Sequence, residues 1–287
     1  MDNVSGKPTK TLLHACCGPC SLEPVRVLRG EGVEPVVFYA NSNIHPADEY
    51  ARRLATLRAW TEGEGLEVVE GAYDPAAWED AAGRVGDAAR ERFGVITHGP
   101  DPAPASAGRD AAAPARNDDA PGGADPAEEA RRARCRACYR LRFEEAAAWA
   151  AAHGFDELGT TLSVSPYQYT AVIREELERA CARAGIRARF DDWRPFYDEA
   201  TRRSREEGMY RQNYCGCRFS DEEAAVERAE RRATRAAERA AERAAHAEER
   251  AAEEEARAAR RAERAAYDAK RSRQRAALRA LRGQGRP

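Results

Sequence analysis

No stretch of this 287-residue chain approaches the ~20 consecutive apolar residues of a membrane-spanning helix, and its first residues have no signal-peptide character. A membrane protein is therefore not expected, and the chain reads as cytoplasmic. There is no Gly-x-Gly-x-x-Gly turn after the first strand-like run and no Walker A loop, so nothing supports a bound dinucleotide, flavin or nucleoside triphosphate. Lysine is scarce, with three against forty-four arginines, while Ala, Arg and Glu abound. We read that as compositional bias without functional content. An excess of one charge is also missing, since the net charge is −2. From Asp221 onward, 18 Lys/Arg face 14 Asp/Glu, which makes the tail +4 and residues 1–220 −6. A nucleic-acid partner is not announced by net charge, and any such partner must be held by a local basic patch.

What is present is a pattern of cysteines. Seven of the eight fall in three tight groups: Cys16-Cys17-Gly18-Pro19-Cys20, Cys135-Arg136-Ala137-Cys138 and Cys215-Gly216-Cys217. Thiols gathered this way hold a metal, hold an iron–sulfur cluster or exchange electrons. In a reducing compartment they are ligands or catalytic thiols rather than structural disulfides. Cys181 stands alone in a helix-like segment and reads as packing.

Strand-like apolar runs occur at 11–15, 35–40, 66–70, 157–161 and, more weakly, 188–191. Helical segments at 21–29, 46–64, 75–93, 139–153 and 167–184 alternate with them. This order predicts an α/β fold with a mainly parallel sheet and flanking helices. Ligands of such sheets bind at the carboxyl ends of the strands, where the first cysteine group and Asn41-Ser42-Asn43 fall. Residues 97–126 are rich in Ala, Pro, Asp and Gly without periodicity and are expected to be a disordered insertion. Residues 221–287 form a second part. Up to position 281 they are almost wholly Ala, Arg and Glu, strong helix formers, with no Leu, Ile or Phe stripe before Leu278. A coiled coil is excluded, because apolar a and d positions are absent. The expectation is a 1–220 α/β domain followed by a long solvated helix; the alternative is that its end, from Lys270 to Arg286, which carries no acid, meets RNA phosphates.

Four thiolates suit either a [4Fe–4S] cluster or zinc. Cys135-x-x-Cys138 matches a zinc knuckle, but adjacent Cys16 and Cys17 share one tetrahedral ion poorly and ligate different irons readily. The spacing favours iron–sulfur over zinc and leaves metal-free thiol chemistry open. Cys215-Gly216-Cys217 can close a strained, labile disulfide or complete a metal's ligand set.

Five motifs, in order, resemble those of the QueH-type epoxyqueuosine reductases. They are Leu13-His14-Ala15-Cys16-Cys17-Gly18-Pro19-Cys20-Ser21; Asn43-Ile44-His45-Pro46 with Glu49-Tyr50; Arg134-Cys135-Arg136-Ala137-Cys138-Tyr139-Arg140-Leu141-Arg142; Thr160-Thr161-Leu162-Ser163-Val164-Ser165-Pro166-Tyr167; and Tyr210-Arg211-Gln212-Asn213-Tyr214-Cys215-Gly216-Cys217. The resemblance covers residues 10–220. It implies a Rossmann-like fold of the HUP type and the last step of queuosine synthesis, the reduction of epoxyqueuosine to queuosine at the tRNA wobble position. It further implies that Cys16, Cys17, Cys135 and Cys138 ligate a [4Fe–4S] cluster and that Cys215 and Cys217 form a redox-active disulfide. An additional iron beside the cluster and an external electron donor belong to the same expectation. The alternatives are a zinc- or iron–sulfur-containing tRNA-binding protein and a redox sensor, neither with this activity.

Removing an epoxide oxygen as water needs two electrons, two protons and an acid. His14, His45, Asp191 and Asp192 are the candidate acids. Tyr167, Tyr169, Tyr210 and Tyr214 are candidates to stack a base, and Arg140, Arg142 and Arg211 to meet phosphates.

Overall fold

The run Thr-Leu-Leu-His, buried at every position, makes the central strand β1 (Thr11–His14). The computed structural model describes residues 9–98 and 125–283. Most of the loop expected over 97–126 lies outside the described residues.

Five strands form one parallel sheet: β1, β2 (Val36–Tyr39), β3 (Val68–Glu70), β4 (Glu157–Thr160) and β5 (Arg187–Arg189), in the order β3-β2-β1-β4-β5. The register pairs Leu13 with Val37 on one side and with Gly159 on the other. Both faces are covered, which explains why the strands read as continuous apolar runs. Leu12, Phe38 and Leu158 pack under α5 (Pro126–Ala152) and α6 (Thr170–Ala184) through Phe143, Ala147, Ile173 and Leu177. Val37 and Tyr39 point the other way onto Leu54 and Leu57 of α2 (Ala47–Glu64), and Leu13 meets Val25 and Leu28 of α1 (Gly18–Gly30). Successive strand residues thus serve opposite layers. Cys181 is buried in the α5–α6 core, as packing requires.

The strand order reverses at β1: β2 and β3 lie on one side and β4 and β5 on the other. Such a switch point opens a crevice at the strands' carboxyl ends. The loop from β1 into α1 carries Cys16 and Cys17 to that place.

Three helical elements differ from the sequence expectation. The helix expected over 75–93 is broken into α3 (Pro75–Trp78), a π turn (Glu79–Gly83) and α4 (Arg84–Phe93). Gly83 leaves room in that turn for the Glu79 carboxylate, which would have to move aside for a Cβ there. Helix α5 begins at Pro126 rather than near Tyr139, capped by the Asp125 carboxylate accepting from the Ala127 N–H. A short helix, α7 (Tyr197–Glu206), was not expected.

Helix α8 (Ser220–Gly283) runs for 64 residues. The chain divides into two compact units, Met1–Glu227 and Arg228–Pro287. Among the described residues no helix is long and apolar enough to cross a membrane.

Candidate active site

The first cysteine group sits where β1 hands the chain to α1. Cys17 caps α1 in an extended conformation, and its carbonyl accepts from Ser21 Oγ at 2.9 Å. One helical turn brings Cys20 back beside the pair, so the sulfurs of Cys16, Cys17 and Cys20 all lie within 4.8 Å of one another. The sequence reading gave Cys20 no role, although its one-turn spacing from Cys17 on a helix start was the available signal. Gly18 lets Met209 approach, since a Cβ there would lie 2.8 Å from Met209 Cε. Hydrogen bonds from Cys16 and Cys20 hold the Cys17 thiol well below its usual pKa, helped by the charge of Arg53. Giving up those bonds raises Cys16, to about 11, and Cys20.

The second group lies on α5. Cys135 and Cys138 are one turn apart, and burial pushes both thiols up, Cys138 to about 11. Arg134 reaches back toward Cys135 Sγ at 3.8 Å while paired with Glu223 of α8 at 2.5 Å. Arg131 joins the same carboxylate at 3.1 Å. Trp78, fully buried, packs against Cys138 and Cys217. Its Nε1 is buried without a full hydrogen bond, yet it lies near enough to the Cys138 sulfur to favour the thiolate.

The third group enters this same cluster, with Cys217 and Cys215 packed around Trp78, Cys138 and Phe219. Cys215 Sγ and Cys217 Sγ are 3.6 Å apart as free thiols. A hydrogen bond from Cys217, then one from Ser220, lowers the Cys215 thiol to about 5 against the opposing effect of burial. Gly216 is required between them: its φ is +117°, and a Cβ would strike Ile44 Cγ1 at 2.8 Å. The Gly216 carbonyl accepts from the His45 N–H at 2.9 Å, which ties the group to the loop after β2.

Arg142, one turn beyond Cys138 on α5, joins the groups electrically. It is 3 % exposed, and its charge favours the thiolates of both Cys16 and Cys138. It donates to Asn41 Oδ1 and, at 3.4 Å, to the Ala40 carbonyl, and no carboxylate pairs with it among the described residues. Glu145 senses its charge, but its Oε1 accepts from the Ala72 N–H at 2.7 Å. A buried guanidinium without a carboxylate is costly unless something anionic comes to it. The anions available are the thiolates.

The other sequence candidates separate clearly. His14 is fully buried, bound by Thr160 Oγ1 and the Ala40 carbonyl at 3.2 Å each. Asp191 pairs with Arg189 at 3.1 Å and Asp192 with Arg194 at 2.5 Å, both buried, so these carboxylates act as struts. His45 retains an unmade hydrogen bond at a buried Nε2, 4.0 Å from Glu79 Oε1, and its ring packs 5.3 Å from that of Trp78. Burial, chiefly, keeps its pKa low. Tyr169 is buried under Arg131 and against His98 and offers no face to a base. Tyr210 gives its hydroxyl to Glu49 at 2.6 Å, and Tyr214 lies under Arg53. Tyr167, partly exposed, meets Tyr197 edge-on. Arg140 pairs with Glu176 and Arg211 clamps Thr201 and Ser204 of α7, so these two hold the fold together, while Arg142 is buried beside the thiols.

The family model described as "Epoxyqueuosine reductase QueH" matches residues 11–92 and 123–223, leaving 93–122 between the matched parts. The chain is 26% identical over 215 residues to a Dehalococcoides mccartyi protein of that name, covering 75% of this chain and 93% of the relative. It is 27% identical over 216 residues to the protein of that name from Haemophilus influenzae, with 74% and 71% covered. It is 24% identical over 227 residues to the one from Staphylococcus aureus, with 76% and 78% covered.

Proposed function

The chain belongs to the epoxyqueuosine reductase QueH family, and from that premise we propose that it reduces epoxyqueuosine in the anticodon of tRNA to queuosine at the thiol-lined crevice beyond β1. The reaction removes the epoxide oxygen as water and takes up two electrons and two protons. The observation that carries the reading is Arg142, a buried cation without an ion-pair partner among the described residues, favouring thiolates from two motifs more than a hundred residues apart.

The donor set fits a metal–sulfur group: free thiols, three of them within 4.8 Å of one another, beside a fixed positive charge. Cys16, Cys17, Cys135 and Cys138 would hold a [4Fe–4S] cluster. Cys20 adds a further sulfur for an additional iron. When bound, such a group supplies electrons singly and a Lewis-acidic iron. Cys215 and Cys217 would form the redox-active pair: two thiols release two electrons and two protons on closing to a disulfide, matching the two electrons of the reduction. The shared environment around Trp78 brings that pair beside Cys138. An external donor then reopens the disulfide.

Protein side chains manage the proton and the water. His45, with its ring Nε2 left unbonded and its backbone N–H tied to the Gly216 carbonyl, is the side chain placed to protonate the departing oxygen. Its low pKa makes it a ready donor once protonated. The buried walls, from Ile44, Trp78 and Phe219, keep bulk water away.

Mass spectrometry of tRNA nucleosides from a strain lacking the gene tests this reading. Accumulated epoxyqueuosine, cleared by the wild-type gene but not by Cys135→Ala or Cys215→Ala, is the expected result. Normal queuosine in the deletion strain would reject it.

A further inference from the structure

Helix α8 carries its arginines, Arg273 excepted, on one side. An α-helix turns 100° per residue, so positions 18 or 36 apart coincide in direction. Arg235, Arg239 and Arg243 fall on successive turns, and Arg271, Arg275 and Arg279 repeat them 36 residues later. Arg257 and Arg261 lie midway, 18 residues after Arg239 and Arg243, so the row continues between the two blocks, with Glu253 in the place that corresponds to Arg235. All are exposed. The opposite side is mostly alanine, at Ala237, Ala241, Ala244, Ala259, Ala262 and Ala266, interrupted by Glu255 and Arg273.

This is not how a solvated spacer helix is built. Such helices set Glu four residues before Arg, turn after turn. Here that arrangement occurs at Glu253–Arg257, where the pair closes at 3.3 Å, and at Glu227 with Arg231. Arginine follows arginine at four residues at 235 and 239, 239 and 243, 271 and 275, and 275 and 279, and only the first of these blocks has acids three residues on, Glu238 and Glu242. Like charges at this spacing destabilise a helix. The row therefore costs the isolated helix stability that a polyanion laid along it would return.

We propose that the arginine side of α8 is a binding surface for the phosphate backbone of structured RNA. Phosphates recur along a nucleic acid at spacings that a row of guanidiniums, about one per 5.4 Å of helix, can follow over several turns. A lipid surface does not fit, because an interfacial helix needs large apolar residues opposite its charges. None of Leu, Ile, Phe, Trp, Val or Met occurs between Val226 and Leu278, and the lone aromatic Tyr267 is 63% exposed. Identifying the RNA with the tRNA substrate rests on the function proposed above, whereas binding of an RNA backbone does not.

The test compares the full-length chain with an Arg235→Gln/Arg239→Gln/Arg243→Gln variant for binding to unmodified tRNA and to an unrelated RNA duplex at several salt concentrations. Glutamine is a good helix former, and circular dichroism confirms that α8 persists. The expected result is affinity at least tenfold weaker at ~0.1 M salt for both RNAs. The slope of log affinity against log salt should also fall by roughly two to three. Unchanged affinity and slope would overturn the proposal, as would a variant that loses binding to anionic phospholipid vesicles instead of RNA. Neither readout involves epoxide reduction, so an inactive wild type that still binds RNA through this row would reject the proposed activity and leave α8's role standing.

Discussion

Arg53 of α2 donates through Nη1 to the carbonyl of Cys215, 162 residues away, at 2.9 Å. The same guanidinium gives Nε to Glu49 at 2.7 Å and lies over the Tyr214 ring at 5.0 Å. Glu49 in turn accepts the Tyr210 hydroxyl at 2.6 Å. One buried ion pair on α2 thus fixes the backbone on which the Cys-Gly-Cys group is mounted.

Arg53→Met leaves Glu49 buried without its counter-charge, which costs about 3–5 kcal/mol. Chemical denaturation should show that loss in the single variant. The Glu49→Gln/Arg53→Met double variant should recover much of it. Equal losses in both would mean that the pair is not what holds the segment.

Glu223 is the acid-sensitive clasp between α8 and α5. Burial pushes its carboxyl up, but the bonds and charges of Arg134 and Arg131 prevail and hold it below 4.5. A carboxyl whose pKa is depressed on folding contributes stability that is complete above its unfolded value and lost as pH falls through the folded one. Stability should therefore decline below pH ~4.5, and Glu223→Gln should remove part of that decline while lowering stability near neutrality by about 3 kcal/mol or more. A variant with an unaltered acid profile in denaturant titrations contradicts this.

These two clasps show why part of the molecule could not be read in advance. The strands were legible because parallel strands covered on both faces become unbroken apolar runs, and Val36–Tyr39 is one. The first half of α5 was not, because Arg131 and Arg134 look like solvent-facing residues until Glu223, some ninety positions on, is folded against them. Helix α7 failed for a related reason: it buries little beyond Ala200 and Ser204 and is anchored by ion pairs such as Arg203–Glu23. The cysteine motifs were visible as spacings. That Arg142 serves thiols of the first two motifs, or that Trp78 underlies the second and third, is a property of the fold alone.

Arg142→Gln takes away the positive charge that the thiolates face while keeping two of its hydrogen-bonding options. Iron and acid-labile sulfide per chain after anaerobic purification should fall to less than half, with the fold intact by circular dichroism. Arg142→Lys should retain an intermediate amount. Full iron content in the glutamine variant would show that the charge does not belong to the metal site.

Trp78→Phe keeps the ring and deletes the indole N–H beside Cys138. Hydrogen bonds to ligand sulfurs raise the potential of iron–sulfur groups. An EPR-monitored redox titration of the loaded variant should therefore give a more negative midpoint than the wild type. An identical midpoint would make Trp78 a packing residue only.

Iron and zinc analysis of the wild-type chain purified without oxygen bears most directly on the claim that sulfurs from two distant motifs meet around iron. The account predicts a brown protein with about four or more irons and four sulfides per chain, absorbing near 400 nm and bleaching with dithionite. A colourless protein carrying one zinc and no sulfide would contradict it.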